Sequence, residues 1–306
     1  MIVAVCALTY KRPQGLTRLL DGLAQLTFRE TAPEINIVIV DNDPESTARS
    51  YCESRRATLG WPLKYVGESK RGIAPARNAA LNNIGEADWV CFIDDDEVPG
   101  PHWLDELLRV QRAHDADVVG GAVLPCFAEP PPAWARQGGF FDQNRHATGT
   151  RRPYVYTNNV LFRARILREM NLRFDERWAL MGCEDLHFFQ QIGLAGYKIV
   201  WADEAIVADS IPASRVTVRW VLQRGYRYGN SASCVDLDLR PGLMTRLRLL
   251  AIGSYRIFKG LFFLPLTWPF GRHLSIMYLR HICVGAGFLT GLFGTRYEEY
   301  RTTHGS

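Results

Sequence analysis

The sequence predicts an α/β fold: a mostly parallel, Rossmann-like sheet flanked by helices, with a helical extension at the C-terminal end. Three observations predict it. Short β-branched runs alternate with amphipathic or alanine-rich stretches in the N-terminal third, the runs are apolar on both faces, and charged residues follow several of them directly. A strand apolar on both faces needs cover on both sides, which the crossover helices of a parallel sheet supply. With 306 residues and 47% hydrophobic content, the chain can bury one large core or two small ones.

Taken in order, Ile2–Leu8 reads as the first strand. Its apolar run is too short for a secretory segment, and no basic leader precedes it. Gln14–Leu26 reads as a helix, Ile35–Val40 as a strand, Glu45–Thr58 as a helix, Leu63–Val66 as a short strand, Pro75–Ile84 as a helix and Trp89–Ile93 as a strand. Ligands of such sheets bind beyond the carboxyl ends of the strands. Thr9-Tyr10-Lys11-Arg12, Asp41-Asn42-Asp43 and Asp94-Asp95-Asp96-Glu97 occupy those positions and are expected to converge on one edge.

A helix is expected from near Pro101. The stretch Ala128–Tyr154, rich in Pro, Gly and Arg, reads as a long lid or binding loop. Tyr156–Phe162 follows as a strand bearing Asn158 and Asn159, then the helix Leu186–Ala195, the separate strands Lys198–Trp201 and Ala205–Ala208, and a helix from about Val216 to Cys234.

Four consecutive acids after an apolar strand repel one another unless a cation or solvent relieves them. Oxygen-rich sites of this kind suit Mg²⁺ or Mn²⁺, held by one or two carboxylates and substrate phosphates. A solvated acidic turn ahead of the helix near Pro101 is the other reading of the same residues. Lys70-Arg71-Gly72 leads into Ala76-Arg77-Asn78, so a glycine turn is followed by an arginine early in a helix, where both can meet a diphosphate. Surface salt bridges are the alternative for either arginine.

These pieces together resemble glycosyltransferase family 2, the inverting enzymes of the GT-A fold. The resemblance runs over about residues 1–233: T-Y-K-R-P at Thr9 to Pro13, a second strand ending in Asp41, R-G-I-A-P-A-R-N-A-A at Arg71 to Ala80, F-I-D-D-D-E-V-P at Phe92 to Pro99, and G-C-E-D at Gly182 to Asp185. The family usually has Asn where this chain has Lys11. The resemblance implies that Thr9, Tyr10, Arg12 and Asp41 face the nucleotide of a UDP-sugar, with Arg71 and Arg77 at its diphosphate. Asp94 and Asp95 would touch the nucleotide sugar, and Asp94 and Asp96 the metal. Many relatives carry a His near Pro212, where this chain offers Asp209.

Inverting transfer needs a carboxylate to take the proton of the attacking acceptor hydroxyl. Asp185 aligns with the second acid of the family's E-D pair and is the expected base, with Glu184 orienting it or touching the acceptor. The bland alternative is that both acids cap the helix that follows. Asn158, Trp220, Arg224 and Arg227 are candidates for acceptor or diphosphate contacts, the last two from a segment, Q-R-G-Y-R-Y-G-N, similar to one in bacterial exopolysaccharide glycosyltransferases. It lacks the Q-x-x-R-W motif of processive synthases, so addition of a single sugar is expected.

The formal charge of +4 is unevenly spread. Arg240–Arg296 holds eight Lys/Arg and no Asp or Glu, leaving 28 basic against 32 acidic residues elsewhere, a net of −4. An acidic body with a basic, apolar tail points to an anionic membrane surface rather than to nucleic acid. Between Lys259 and Arg272 and between Arg280 and Arg296 the apolar stretches are 12 and 15 residues, short of the ~20 needed to span a bilayer, so interfacial helices are expected. A helical subdomain packed on the core, or an oligomer contact, fits the same stretches. Seven singly scattered cysteines suggest neither a zinc ribbon nor a disulfide framework and place the chain in a reducing compartment.

The expected organisation is thus a catalytic domain over 1–235, with a donor half at about 1–123 and an acceptor half at about 124–235, and a tail over 236–306. The expected activity is transfer of one sugar to a lipid-linked or polysaccharide acceptor at the inner face of the cytoplasmic membrane. A catalytically silent relative that binds nucleotide or membrane is the second reading. A nucleotidyltransferase would need a glycine-rich, lysine-containing loop after the first strand, and Thr9 to Gly15 supplies one glycine.

Overall fold

A computed structural model describes residues 1–299. In chain order its elements are β1 (Ile2–Thr9), α1 (Pro13–Ala24), β2 (Glu34–Asp41), α2 (Arg49–Arg55), β3 (Leu63–Gly67), α3 (Ile73–Leu81), β4 (Trp89–Ile93), β5 (Glu97–Pro99), α4 (Trp103–His114), β6 (Val118–Phe127), α5 (Ala133–Gly138), β7 (Asn159–Arg163), α6 (Arg165–Glu169), α7 (Glu184–Leu194), β8 (Ile199–Ile211), α8 (Val218–Leu239), α9 (Leu243–Thr267) and α10 (Arg272–Leu292). The strands form one sheet in the order β3-β2-β1-β4-β7-β6-β8-β5.

Strand periodicity explains how the sheet is covered. Val3, Val5 and Ala7 of β1 join the core that holds Leu16, Leu19, Leu20 and Leu23 of α1, whereas Ala4 and Cys6 join the opposite core with Ala76 and Ala80 of α3. In α1 the buried leucines recur at helical spacing, and Pro13 opens the helix where its missing N–H costs nothing.

The expected parallel pattern holds for β1 with β2, β1 with β4, and β2 with β3. Beyond β4 the sheet is mixed: β7 runs antiparallel to both β4 and β6, β6 and β8 are parallel, and β5 and β8 are antiparallel. Lys198–Trp201 and Ala205–Ala208 belong to the single strand β8. Its partner β6 passes from Gly121, paired with Ala202, directly to Ala122, paired with Ile206, so Asp203 and Glu204 lie in a bulge rather than a turn.

The expected helix Glu45–Thr58 shortens to α2, because carboxylates intercept its first turns. Asp43 Oδ1 accepts from Glu45 N, and Asp41 Oδ2 accepts from Ala48 N, holding 43–48 as a turn. The loop 128–154 contains the short helix α5. Helix α8 runs through the expected boundary at 235/236 to Leu239.

The two apolar stretches of the tail are parts of longer helices. The 25-residue α9 and the 21-residue α10 are longer than the runs of 12 and 15 residues that they overlap, and are long and apolar enough to cross a membrane by length and composition alone. Helix α10 packs between α8 and α9 by glycine contacts: a Cβ on Gly229 would lie 2.1 Å from Val284 O, and one on Gly287 2.1 Å from Tyr226 O. The far side of α9 leaves Tyr255, Phe258, Leu261, Phe262 and Leu266 exposed.

Candidate functional site

The carboxyl ends of β1, β2 and β4 do meet on one edge. Thr9 Oγ1 donates to Asp95 Oδ2 at 2.8 Å, and Arg12 Nη1 donates to Asp95 Oδ1 at 3.0 Å and to Asp96 Oδ2 at 3.1 Å. The first turn of α1 comes so close to β4 that a Cβ on Gly15 would lie 2.6 Å from Asp95 O. Only glycine permits that approach, which seats Arg12 beside the acids.

The acids divide by environment. Asp95 is buried and ties β1 to β4; burial raises its pKa to about 6 against the opposing charge of Arg12. Asp94 sits on the cleft floor, ringed by protein yet with its side chain 44% open to solvent. Burial raises it to about 7; Arg77 opposes the shift, while Asp96, Asp95 and Asp185 add to it. Asp96 also lies 3.7 Å from Arg215 Nη2. Buried Glu97 accepts from Asp94 N at 3.1 Å and from Asn158 Nδ2 at 3.2 Å, and burial holds its carboxyl well above the ordinary value. Across the β5–β8 ladder Glu97 faces Asp209, which burial and then Asp96 raise to about 6.

No three His, Cys, Asp or Glu side chains among the described residues are grouped as a ready metal cage. Mg²⁺ and Mn²⁺ do not require one, since two carboxylates can be completed by waters and phosphate oxygens. Burial is the main cause of the raised Asp94 and Asp209, and Asp96 adds to both, so the three acids lie close enough to feel one another's charge. The donor set therefore fits a divalent cation at Asp94 and Asp96, with Asp209 close by.

On the other wall, α3 buries Arg77, which forms an ion pair with Glu184, lies 4.0 Å from Asp94 Oδ1 and sits over the Phe174 ring at 5.5 Å. Glu184 is 1% exposed, and its Oε2 has no hydrogen-bond partner among the described residues. Burial raises its carboxyl, opposed by Arg77. Glu184 is thus enclosed under Arg77. Its neighbour Asp185, in the same first turn of α7, is half-exposed; Oδ1 accepts from Leu186 N at 2.7 Å, and its charge acts on both Asp94 and Tyr156.

Other expected contacts take different places. Asp41 is fully buried, its carboxylate accepting from Asp43 N, Ala48 N and the Tyr65 hydroxyl, each at 3.0 Å, so here it shapes a turn. Half-buried Tyr10 lies under Lys11 Nζ, 5.9 Å from its ring centroid. Arg71 is exposed and lines a groove of about 480 Å³ with Lys70, Pro75, Glu176 and Leu180. Trp220 stacks on Phe141 at 5.4 Å, and the Arg224 guanidinium lies over the Trp220 ring, 5.1 Å from its centroid. Arg227 donates to Gly182 O at 2.9 Å and pairs with Glu299, bracing the segment that precedes the acid pair.

Two groups of site residues carry roles that the sequence did not assign. Asn42 donates to Glu68 O and Lys70 O and accepts from Gly72 N, which sets the loop before α3. Its position between two acids after a strand was the available signal. Tyr154 and Tyr156 pack edge to face at 5.6 Å beside Asp185. Tyr154 closes the stretch that reads as a loop and Tyr156 opens the expected strand, so the pair straddles a boundary where no pattern marks it.

Comparison with known proteins gives this geometry a context. The family model described as glycosyl transferase family 2 matches residues 4–170, and that of glycosyl transferase family group 2 matches residues 89–294. The succinoglycan biosynthesis protein ExoM of Rhizobium meliloti is 30% identical over 97% of this chain and 94% of its own length. Staphylococcus aureus TarS 1–349 in complex with UDP superposes with a TM-score of 0.56 at 18% identity, covering 95% of this chain and 92% of that one. The mannosyltransferase PcManGT of Pyrobaculum calidifontis, in complex with GDP-Man and Mn²⁺, gives 0.58 at 18% identity over 94% and 86%. The mixed sheet and its flanking helices are those of the GT-A fold, and the chain is a glycosyltransferase that belongs to glycosyltransferase family 2.

Proposed function

We propose that this chain moves one sugar, with inversion, from a UDP-sugar to a lipid-linked or polysaccharide acceptor, with Asp185 as the general base. The observation that carries this reading is the division of labour in the E-D pair. Glu184 is buried against Arg77, while Asp185 keeps a half-exposed carboxylate within electrostatic reach of Asp94. A base must reach the acceptor hydroxyl, and of these two acids Asp185 has the access.

Asp94 and Asp96 would hold Mn²⁺ or Mg²⁺, which when bound neutralises charge on the leaving diphosphate. Thr9 and Arg12 fix Asp95 and Asp96 in place, and Arg77 holds positive charge at the junction of Asp94 and Glu184. The likeness to a succinoglycan biosynthesis protein supports a polysaccharide pathway, and the UDP and Mn²⁺ in the solved relatives support the donor and metal.

The tail supports a peripheral place at an anionic membrane surface, on the cytoplasmic side. Both helices have the length to cross, but Arg256, Lys259 and Arg280 fall in their interiors. Each charge at mid-bilayer costs at least about 2.5–3.5 kcal/mol, which favours a hairpin lying in the interface with its cations at headgroup level.

A thermal-shift panel of nucleotide sugars, with and without Mn²⁺, tests the donor side. UDP-sugars should raise the melting temperature more with Mn²⁺ than without; no response to any nucleotide would favour a silent relative.

A further inference from the structure

At one level of the α9–α10 hairpin, cations gather without an acid. Gly253 of α9 faces Leu289 and Gly285 of α10, and Gly260 faces Tyr278 and Ile282, so Arg256 and Lys259 come level with Arg280 and His281. Arg256 Nη1 lies 3.5 Å from His281 Nδ1. Burial and then the charges of Lys259, Arg256 and Arg280 hold His281 below its ordinary pKa. Nearer the body, Arg240 and Arg248 both pair with Asp236. Among the described residues no acid pairs with Arg256, Lys259 or Arg280, and residues 240–296 contain none.

The cluster also has two distinct neighbours. Arg280 lies against Gly225 of α8, whose added Cβ would sit 2.9 Å from Arg280 Cγ, and within electrostatic reach of Tyr228. Tyr228 lies within electrostatic reach of Tyr154, Tyr154 packs edge to face on Tyr156 at 5.6 Å, and Tyr156 feels the charge of Asp185. On the outer side, Tyr255, Phe258 and Phe262 of α9 are exposed. A ligand that matches this layout has an anionic centre, a polar arm toward Asp185 and an apolar arm toward the outer face of α9.

We propose that Arg256, Lys259, Arg280 and His281 form a phosphate site that holds the phosphate or diphosphate of a lipid-linked acceptor, with its sugar running along Tyr228, Tyr154 and Tyr156 to Asp185. Guanidinium forks suit phosphate oxygens, and two arginines with a lysine supply the charge. The two arginines that the sequence offered for this role are otherwise engaged: Arg227 with Gly182 O and Glu299, Arg224 over Trp220. The assignment rests on the transfer reaction proposed above, in which the lipid-linked acceptor is the second substrate.

The test is vesicle binding by the full chain. Phosphatidylcholine vesicles carry either a polyprenyl diphosphate or phosphatidylglycerol, and inorganic pyrophosphate serves as a soluble competitor. The wild type should bind the polyprenyl diphosphate vesicles more tightly, and pyrophosphate should compete. Arg280→Gln and Arg256→Gln should each weaken that binding about tenfold, the scale of one lost charged hydrogen bond. Arg246→Gln, on the exposed N-terminal turn of α9, should leave it unchanged. Unchanged binding in the first two variants would overturn the site, as would equal losses on both vesicle types, which report only headgroup charge. Competition by pyrophosphate without discrimination between vesicles would reassign it to a soluble anion and overturn the acceptor role. UDP-induced thermal shifts on the same preparations report separately on the donor reading.

Discussion

Arg77 shows how a single residue acquires more than one role. The sequence places it early in a helix as a diphosphate contact; the fold adds a buried partner, Glu184, and a neighbour, Asp94, at 4.0 Å. Removing one member of a buried ion pair leaves an uncompensated charge, so Arg77→Met should lower unfolding free energy by about 3–5 kcal/mol in denaturant titration, and Arg77→Met with Glu184→Leu should recover much of it. A double variant as weak as the sum of its single losses would contradict the pairing. The acids carry a pH signature of definite sign. Asp94 and Asp209 titrate near 7 and 6 in the fold, above the ordinary 3.8, so the folded protein holds protons the unfolded chain has lost. Their contribution to stability therefore declines as pH rises from about 4 to 7, and Asp94→Asn should flatten the decline in metal-free protein. The pairing of Arg77 with Glu184 was not legible because 107 residues separate them, and no local pattern encodes a contact across two elements.

At the scale of elements, glycine spacing sets how the helices meet. Gly225 and Gly229 on α8 face Arg280 and Val284 on α10, and Gly287 on α10 faces Tyr226 and Asn230. Gly229→Leu would place side-chain atoms where the α10 backbone lies, and it should cost about 1–3 kcal/mol and loosen the hairpin, measured as a lower melting temperature and faster proteolysis of α9–α10. Unchanged melting would show that the helices do not meet there. The strands from β1 to β4 and the convergence of their ends were legible, because apolar runs on both faces demand a covered sheet. The bulge in β8 was not: Asp203 and Glu204 interrupt the apolar pattern as a turn would, and only pairing with β6 shows that the strand continues. The length of the tail helices was hidden for a related reason, since Lys259 and Arg280, which look like boundaries of an apolar run, lie within continuous helices.

For the whole molecule, an acidic catalytic body meets a basic, apolar hairpin through α8, which also touches the segment before Asp185 through Arg227. If α9 faces lipid, Phe258→Asp with Leu261→Asp should reduce binding to anionic vesicles while leaving the UDP-induced thermal shift in place; undiminished binding would remove α9 from the contact. The landmarks of the donor edge were readable in order along the chain, whereas the enclosure of Glu184 and Asp41 depends on burial, which sequence order does not report. The central claim is that Asp185 takes the acceptor proton at a site whose donor half is built separately by β1, β4 and α3. The most direct measurement is sugar transfer by Asp185→Asn alongside its Mn²⁺-dependent UDP binding. Transfer should fall by at least about 10²-fold with UDP affinity nearly unchanged, and turnover equal to wild type would contradict the assignment of the base.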